Sequence, residues 1–531
     1  MKNIDLKDTS VSTIIKDYLS QKDLLKFAYH RFPSFENYVA QAEEKAQNYT
    51  HRKVLFAELQ KQHQELNLSP KQKENLALLA QENTLTVTTG HQLNIATGPL
   101  YFLYKIMHVI KLSDELNQKQ QKWNFVPIYW MATEDHDWDE IDHFNLYSQK
   151  YTCHKAQVGG AVGRLDTSGM GAVISALKEK LPLNRFSEEV IVMLEKAYTS
   201  GHTLAEATRM LVQELLGEYG ILILDADSHE LKKIMIPYIE QELLENPSQS
   251  LVQTTNEKLS EYKNQAYARE INLFYLSENK RERIEREGKE FVLVDSQQKF
   301  SKDEFLQILH KTPEKFSPNV ILRPMYQEVI LPNVAYIGGG GEIAYWLQLK
   351  EVFAHYGVIF PMLVVRNSAL VLPENLARKA ENLGLNEHNM FEPMHEFTRH
   401  LVEENSDLIE ELETLKNMLK SNFERIHALA QKTDVSFAQM LRAQEAKQIK
   451  GYEKMRKRLL KAERIKMNDK VQRIEQLFNF MFPHGTWQER RINFIQFYVE
   501  QGQEFIQEIY KGLLPLENKF IILNIKGIQQ K

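Results

Sequence analysis

The sequence contains very little cysteine: Cys153 is the only one among 531 residues. A single cysteine excludes an internal disulfide framework and is typical of a protein that works in a reducing compartment, so we expect a cytoplasmic location. For a lone cysteine, a small residue without a chemical role is a more frequent explanation than a nucleophile.

Long apolar runs and strong net charge are also lacking. No run reaches the roughly 18 residues that span a bilayer, and residues 1–8 contain no apolar signal core. The formal net charge is only -5. We therefore expect neither a membrane nor a nucleic acid as a partner.

Neither standard glycine pattern for nucleotide binding, G-x-G-x-x-G or G-x-x-x-x-G-K-[ST], is found in the stretch 84–106. That stretch instead holds a β-branched run at 85–88, a polar turn bounded by Gly90 and Gly98, and apolar residues at helical spacing after Pro99. This order predicts strand, loop and helix, and the loop would present backbone N–H groups to an anion. An ordinary strand-to-helix turn in an α/β core is the alternative. The candidate binding residues here are Gly90, His91, Gln92, Asn94, Thr97, Gly98, Tyr104 and Lys105.

A second apolar strand is predicted at 125–132, and it opens into a run of carboxylates and imidazoles. The candidate catalytic residues are Glu134, Asp135, His136 and Asp137. Crowded carboxylates repel one another and cannot all ionise independently, so some must meet Mg²⁺ on a nucleotide, an amine substrate or nearby basic residues. A solvated acidic loop is the alternative. No regular zinc-ligand spacing occurs, and we predict no protein metal site.

Three further core strands are predicted at 221–227, 333–337 and 358–365. Four consecutive glycines, at 338–341, separate the fourth strand from a helix; they allow close approach to a ligand and tolerate positive φ. A flexible turn is the alternative. The candidate binding residues in this part are Arg323, Tyr326, Asn333, Gly338, Gly339, Gly340, Gly341, Glu342, Arg366 and Asn367.

The alternation of strands and helices predicts an α/β fold with a Rossmann-type nucleotide-binding core. We divide the chain into an N-terminal helical layer at 1–80, core parts at 81–145, 202–245 and 318–400, insertions at 146–201 and 246–317, a coiled-coil hairpin at 401–482, and a C-terminal segment at 483–531. The charged stretch 281–288 inside the second insertion is predicted to be a solvated turn or helix end.

The hairpin is predicted from apolar residues that step by three and four, from Leu408 to Leu429, with a break at 432–436 and a second helix at 438–477. Surplus apolar positions, among them Leu415, Phe423 and Met440, indicate packing on a second copy, so we expect a homodimer. A hairpin folded back on its own core is the alternative. The basic residues at 456–458 alternate with glutamates along the helix, which favours a solvated face over a nucleic-acid site.

Several of these motifs occur together in one known family. The turn Thr89-Gly90-His91-Gln92, the run 130–137, the loop from Gly338 to Glu342, the hairpin, and Pro483-His-Gly-Thr-Trp-Gln-Glu-Arg490 after it resemble the BshC family along nearly the whole chain. The last motif adds Gln488 and Arg490 to the candidate binding residues. More loosely, the Gly-His pair resembles the turn of class I aminoacyl-tRNA synthetases. The usual BshC turn is Thr-Gly-Gln-Gln, so His91 is a departure.

The resemblance implies a Rossmann-type core with two connecting insertions, and the last step of bacillithiol synthesis: joining cysteine to the amine of glucosaminyl malate. A free carboxylate is a poor acyl donor, so we expect activation by ATP, by analogy with the class I synthetase fold, with Mg²⁺ arriving on the nucleotide. Two other functions stay open: a nucleotidyltransferase-like enzyme acting on another small substrate, and a coiled-coil assembly protein with an inactive Rossmann core.

Overall fold

The computed structural model describes residues 3–147, 149–155, 159–199 and 201–526. The described residues fall into two compact units. The core unit contains the chain up to residue 371 and again from residue 488 onward, and the helical unit contains residues 372–487. The eight-part division made from the sequence is finer than these units and stays a prediction.

The strands are β1 Ile4–Asp5, β2 Thr84–His91, β3 Asn124–Met131, β4 His143–Leu146, β5 Gln149–Thr152, β6 Leu222–Asp225, β7 Leu273–Leu276, β8 Arg281–Glu287, β9 Glu290–Leu293, β10 Lys299–Ser301, β11 Phe316–Pro318, β12 Asn333–Gly338, β13 Met362–Val365, β14 Ser368–Pro373 and β15 Lys519–Ile525. The helices are α1 Thr13–Leu19, α2 Phe35–Asn48, α3 Arg52–His63, α4 Pro70–Leu78, α5 Tyr101–Lys119, α6 Trp138–Ile141, α7 Met170–Lys180, α8 Arg185–Ala197, α9 Leu204–Leu216, α10 His229–Glu245, α11 Pro247–Lys258, α12 Lys302–Lys311, α13 Arg323–Ile330, α14 Gly340–Trp346, α15 Lys350–His355, α16 Glu374–Asn382, α17 Met394–Glu404, α18 Asp407–Ala430, α19 Val435–Lys466, α20 Asn468–Met481, α21 Ile495–Gln501 and α22 Gln503–Gly512.

The core unit is built on a five-stranded sheet in the order β13-β12-β2-β3-β6, in which every recorded pair is parallel. All five core strands predicted from the sequence are present, which confirms the Rossmann-type α/β class. The chain first builds outward from β2 through β3 to β6, and then returns to the other side of β2 to form β12 and β13. The order therefore reverses between β2 and β12, and at such a switch point the loops after neighbouring strands separate and leave a crevice.

The helix after β2 forms as the sequence indicates. Leu103, Ile106 and Met107 recur at helical spacing on α5, and all are fully buried against the sheet. Pro99 lies just before the helix, where its missing N–H costs nothing. The N-terminal layer is helical, and α4 begins with a capping box in which Ser69 and Gln72 satisfy each other's backbone N–H groups.

The second insertion contains a five-stranded sheet in the order β10-β9-β8-β7-β11. The prediction that 281–288 is a solvated turn or helix end is wrong, because residues 281–287 form strand β8. Its charged residues have specific partners: the Arg281 guanidinium lies 3.9 Å from the Phe274 ring centroid and donates to Ser317. Hydropathy could not reveal these partners, which lie on other strands.

The helical unit contains the predicted hairpin, formed by α18 and α19. Asp434 begins the second arm by accepting the N–H of Phe437 at 2.8 Å. That arm is not continuous to residue 477, since it breaks at Met467 between α19 and α20. Phe423, expected to be surplus apolar surface, lies in the hairpin's own core with Ala430 and Leu441. Within the described part of the chain, no helix combines the length and apolarity needed to cross a bilayer.

Candidate functional site

Lys105 joins the two loops that flank the switch point. From α5 its ammonium donates to the carbonyl of Gly90 at the end of β2 and to both carboxylate oxygens of Glu342, each at 2.8 Å. The lysine side chain is only 2% exposed. An ammonium has three protons, and these contacts occupy all of them. Lys105 therefore holds the crevice together, and it would bind a phosphate only after releasing Glu342.

Glu342 is the most heavily hydrogen-bonded group at the switch point. Besides Lys105, its carboxylate accepts the N–H of Gly339 and the hydroxyl of Tyr336, both at 2.8 Å. Burial alone would raise the pKa of Glu342, but the charge and hydrogen bond of Lys105 keep that pKa below its usual value. The carboxylate is consequently ionised and fixed in position.

The glycines at 338–341 leave room because they have no side chains, and their backbone angles are ordinary. None of Gly338, Gly339, Gly340 and Gly341 has a positive φ. The predicted four-residue loop is wrong, because Gly338 ends β12 and Gly340 and Gly341 begin α14, which leaves Gly339 alone between them. At Gly339 a Cβ would lie 3.4 Å from Glu342 Oε2 and 3.8 Å from Arg366 Nε, whereas at Gly341 it would meet nothing within 4 Å. Because Gly339 has no side chain, a small gap remains beside the Glu342 and Arg366 side chains.

Arg366, directly after β13, forms a buried two-pronged ion pair with Glu489. The two hydrogen bonds measure 3.0 and 2.7 Å, and the side chains are 3% and 0% exposed. Glu489 also accepts the N–H of Ala369 at 2.9 Å. The guanidinium lies 5.1 Å from the ring centroid of Tyr101. Its Nε–H has no hydrogen-bond partner among the residues that the structure describes.

His91 is buried beside the same crevice. Its ring lies 5.2 Å from that of Tyr101 and 4.9 Å from that of Phe102. Burial, together with the charge of Lys105, lowers the pKa of His91 to about 3. The imidazole is therefore neutral at physiological pH, and its environment favours packing over proton transfer.

The turn 94–98 is tightly held by the protein itself. Ala96, Thr97 and Gly98 all have positive φ, and the buried Asn493 donates to the carbonyl of Ala96 at 2.8 Å. The N–H groups of Ala96, Thr97 and Gly98 donate to Tyr198, Asn94 and Ile95. These three N–H groups are therefore not free for an anion.

Gly98 is a position where we expect a large cost in stability. Its φ of 62° and ψ of -135° belong to a region that only glycine readily adopts, and a Cβ there would lie 2.6 Å from Asn94 Cβ. Gly98→Val would place a β-branched side chain in that region and against Asn94. We predict a loss of about 3 kcal/mol in the free energy of unfolding, measured by urea denaturation. Stability equal to that of the unsubstituted protein would contradict this prediction.

A pocket of about 280 Å³ opens next to this turn. We call it the arginine pocket, and its lining residues are Gln92, Asn94, Pro99, Tyr101, Glu140, His143, Phe144, Asn145, Arg490 and Arg491. Gln92 donates to Glu140 at 2.6 Å. The pocket thus presents one carboxylate and two guanidinium groups beside the switch point.

Most of the acidic run is already paired. Lys232, which is fully buried, donates to Glu134 and to the carbonyl of Phe316. Asp135 lies 3.6 Å from Arg323. Burial would raise the pKa of Asp135, but the hydrogen bond from His136 and the charge of Arg323 hold it well below its usual range. Among the described residues, no group of three His, Cys, Asp or Glu side chains is placed to hold a metal ion.

Other cationic and aromatic groups complete this acidic cluster. The Nδ1 of His136 is 3.0 Å from a guanidinium nitrogen of Arg281, which comes from the second insertion. Tyr326 donates to the carbonyl of Ala226 at 2.6 Å. Asp137 is exposed just before α6. Glu134 and Asp135 would need to leave their ion pairs to bind Mg²⁺ or an ammonium.

We predict different outcomes for two substitutions in the acidic run. Asp135→Asn removes a paired charge beside Arg323 and should lower the melting temperature by several degrees, about 1–2 kcal/mol. Asp137→Asn, at an exposed carboxylate, should leave the melting temperature unchanged. Differential scanning calorimetry of both variants is the measurement, and equal melting temperatures would contradict the role given to Asp135.

Three predicted binding residues have structural partners instead, and a fourth is fully buried. Asn333 lies at the amino end of β12, on the sheet edge opposite the crevice, where it donates to Glu328 at 2.7 Å. Gln488 pairs with both backbone groups of Val371, at 3.0 and 3.1 Å. Asn367 donates to the carbonyl of Glu517. Tyr104 is fully buried. The structure brings none of them to a surface that a ligand could reach.

Family models of known proteins match residues in both units of the chain. The family model described as "Bacillithiol biosynthesis BshC, N-terminal Rossmann-like domain" matches residues 1–367. The model described as "Bacillithiol biosynthesis BshC, C-terminal coiled-coil domain" matches residues 369–525. This chain belongs to the BshC family. The resemblance noted in the sequence motifs is confirmed.

Relatives of this BshC chain are similar over almost their full length. Proteins named "Putative cysteine ligase BshC" from Flavobacterium johnsoniae and Christiangramia forsetii are each 44% identical to it, over 97% and 96% of both chains. One from Flavobacterium psychrophilum is 45% identical, over 96% of this chain and 97% of that relative. A solved structure titled as a putative arginyl-tRNA synthetase from Campylobacter jejuni covers 80% of this chain and 100% of its own, at 11% identity and a TM-score of 0.21. That score is too low to support an argument.

Four residues of the candidate site were not among those selected from the sequence: Glu489, Tyr101, Glu140 and Arg491. Each lies one or three residues from a residue that was selected. Which residue of a segment faces the crevice depends on its local backbone direction. Around 488–490 the chain forms a short 3-10 helix, whose side chains point in different directions.

Proposed function

We propose that this protein is the cysteine ligase of bacillithiol synthesis, which forms an amide between the carboxyl of cysteine and the amine of glucosaminyl malate. The observation that carries the proposal is the match to relatives of that name over 97% of the chain at 44% identity. The arrangement of the crevice is compatible with it, because charged and polar side chains converge where open α/β sheets bind their ligands.

We propose that ATP activates the cysteine carboxylate by supplying a leaving group better than oxide. The switch point between β2 and β12 is the part of the structure that fits such a ligand. Mg²⁺ carried by the nucleotide is part of this proposal, since Mg²⁺ bound with phosphates ordinarily needs only one or two protein carboxylates. We assign no protein ligand to it, because Glu134 and Asp135 are held in ion pairs.

The arginine pocket suits the acceptor substrate. Glucosaminyl malate carries two carboxylates and one amine, and guanidinium groups bind carboxylates in a two-pronged manner. Arg490 and Arg491 therefore hold the malyl end. Glu140 is the carboxylate that receives the proton lost by the amine as its nitrogen bonds to the cysteine carbonyl carbon and the bond from that carbon to the ATP-derived leaving group breaks. Gln92, which donates to Glu140 at 2.6 Å, fixes the direction of that carboxylate.

Replacing Glu140 with Gln is expected to lower kcat by about 100-fold at an unchanged melting temperature, because a general base contributes about 10²–10⁴. Asp139→Asn is the matched control: Asp139 is exposed on the same short helix and does not line the pocket. Product formation is followed by mass spectrometry with cysteine, ATP and glucosaminyl malate. Full activity of Glu140→Gln would remove the residue from the mechanism.

The function as a whole is tested in the same assay. Purified protein should form one amide product from cysteine and glucosaminyl malate, with consumption of ATP, and deletion of the gene should remove the low-molecular-weight thiol from cells. A nucleotidyltransferase would consume ATP with another substrate and leave that thiol unchanged. An assembly protein would show no turnover at all.

We also propose that the protein acts as a homodimer in the cytoplasm. The carrying observation is the hairpin, where Leu415, Met418 and Leu429 are 46%, 60% and 62% exposed. Three exposed apolar side chains on one hairpin indicate a protein interface. Two-fold dimers are the commonest soluble assembly. A free, buried Cys153 is compatible with a reducing compartment.

Adding charge to this face should weaken the dimer. The double variant Leu415→Lys with Met418→Lys is expected to raise the dissociation constant by more than about tenfold, because two charges would be buried at the interface. The control is Asn417→Lys with Ser421→Lys, which adds the same charge at exposed polar positions of the same helix. Light scattering over a concentration series measures both. A monomeric unsubstituted protein, or a double variant that dimerises normally, would contradict the proposal.

A further inference from the structure

The gap beside Gly339 is a polar site that the function described above leaves without an occupant. A Cβ at Gly339 would lie 3.4 Å from Glu342 Oε2 and 3.8 Å from Arg366 Nε. Both polar atoms therefore border one small space at the carboxyl end of β12. We call this space the glycine cradle. The Arg366 side chain is 3% exposed, and its Nε–H finds no acceptor in the described part of the chain.

Buried N–H groups without an acceptor are rare in folded proteins, because each has lost its hydrogen bond to water without a replacement. An acceptor supplied by a ligand would remove that cost. The Nε–H of Arg366 is thus the observation that indicates a ligand atom in the glycine cradle.

The charges around the glycine cradle determine which kind of ligand group can bind there. Glu489 already neutralises Arg366 through two hydrogen bonds, and Lys105 already neutralises Glu342. The cradle therefore has no uncompensated positive charge for a phosphate or carboxylate, and the nearby Glu342 carboxylate repels both. An ammonium has no lone pair to offer Arg366. The occupant is a neutral group.

Among neutral groups, a hydroxyl matches both sides of the cradle. It presents a lone pair to the Nε–H of Arg366 and donates its proton to Glu342 Oε2, which would accept it beside the hydrogen bonds from Lys105 and the Gly339 N–H. A carbonyl or ether oxygen would direct a lone pair at the carboxylate instead. The ring of Tyr101, 5.1 Å from the guanidinium, provides an apolar surface beside the same space.

We propose that the glycine cradle binds a sugar hydroxyl between Arg366 Nε–H and the carboxylate of Glu342. This inference rests on the proposed function, whose two larger substrates both contain a sugar: the ribose of ATP and the glucosamine ring of the acceptor. The shared chemistry is the hydroxyl group. Gly339 is required because any side chain at that position would fill the space.

The test is Gly339→Ala. The backbone angles of Gly339, φ -70° and ψ 165°, are open to alanine, and its Cβ contacts would be ordinary van der Waals distances. Gly171→Ala is the control, because it adds the same methyl on α7, away from the site, where nothing lies within 4 Å. Isothermal titration of full-length protein measures binding of ATP, 2′-deoxy-ATP, 3′-deoxy-ATP and glucosaminyl malate, and circular dichroism checks that both variants are folded.

We expect Gly339→Ala to weaken binding of one substrate by about 30-fold or more, with Gly171→Ala unchanged. If the hydroxyl belongs to ribose, ATP is the ligand affected, and one deoxy-ATP binds unsubstituted protein about 10- to 100-fold more weakly than ATP. If it belongs to glucosamine, only glucosaminyl malate is affected. Either pattern supports the inference.

Unchanged binding of both substrates by a folded Gly339→Ala variant would overturn the inference, as would equal losses in both alanine variants. Absence of ATP and glucosaminyl malate binding to the unsubstituted protein would also overturn it. The proposed function is judged separately by mass spectrometry of the amide product. An active unsubstituted enzyme with an equally active Gly339→Ala variant rejects the cradle alone, whereas sugar binding that is sensitive to Gly339→Ala without amide formation rejects the ligase function alone.

Discussion

Glu489→Gln is expected to lower the free energy of unfolding by about 3–5 kcal/mol. The substitution removes the negative charge from an ion pair whose side chains are 3% and 0% exposed, and it leaves the Arg366 guanidinium buried without its counter-ion. Glutamine has nearly the same shape, so little of the loss comes from packing. Its amide NH₂ would face a guanidinium that can only donate, which exchanges an attraction for a clash between two donors.

Urea denaturation of Glu489→Gln, followed by circular dichroism, measures this loss. The control is Glu287→Gln, because Glu287 forms an exposed ion pair with Lys299 and should change stability by less than about 0.5 kcal/mol. Removing both buried charges in Arg366→Met with Glu489→Leu should recover part of the loss. If Glu489→Gln and Glu287→Gln are equally stable, Glu489 does not compensate Arg366 as the geometry indicates.

The central sheet was predictable because each of its strands leaves a recognisable pattern in a short stretch of sequence. A parallel strand buried on both faces gives a continuous apolar run, and five such runs alternate with amphipathic helices. The sheet itself then brings the ends of β2, β12 and β13 together, which is why Gly90, Glu342 and Arg366 were selected correctly as neighbours of one crevice. Their selection needed only the rule that carboxyl ends of parallel strands share one edge.

The partners that neutralise these charges were not predictable from the sequence. Lys105 and Glu342 are 237 positions apart, and Arg366 and Glu489 are 123 apart. Nothing local marks such a pair, since a buried charge and a solvated one look alike in the sequence. For this reason Gln488 was selected where Glu489 makes the contact, and Asn333 was selected although it lies at the opposite edge of the sheet.

The acidic run shows the same limit. Its position after β3 predicted correctly that some carboxylates would meet cations. The cations come from distant segments, however: Lys232 from α10, Arg281 from the second insertion and Arg323 from α13. The stretch containing Arg281 had been interpreted as solvated, so the sequence favoured a ligand for Glu134 and Asp135 where the protein provides its own partners.

Lys105→Met is expected to reduce kcat/KM by about 1,000-fold. Lys105 donates both to the end of β2, at Gly90, and to the first turn of α14 after β12, at Glu342. Methionine fills similar space but cannot donate, so each loop loses its anchor. Shifts of about 1 Å at a site of this kind cost about 100-fold in rate, and here both walls of the crevice are affected.

The same substitution should change the pH dependence of stability. In the unsubstituted protein the pKa of Glu342 is lowered, so its contribution is present above the unfolded pKa and is lost as pH falls through the folded value. Without Lys105, burial raises that pKa above the unfolded value. The stability of Lys105→Met should therefore fall as pH rises through the raised pKa. Its free energy of unfolding should be lower at pH 8 than at pH 5 by about 2–3 kcal/mol. This difference is smaller than for a fully buried carboxylate, because Glu342 is 30% exposed.

Urea denaturation at both pH values, together with the product assay, separates two roles of Lys105. One role is to link the two walls of the crevice, and the other is to neutralise Glu342. The double variant Lys105→Met with Glu342→Gln carries no charge at this site, so its stability should lose that pH dependence while its activity stays low, because the two loops remain unlinked. Recovery of activity in the double variant would show that Lys105 serves only to neutralise Glu342. An active Lys105→Met single variant, with the pH profile of the unsubstituted protein, would show that the crevice keeps its shape without the lysine.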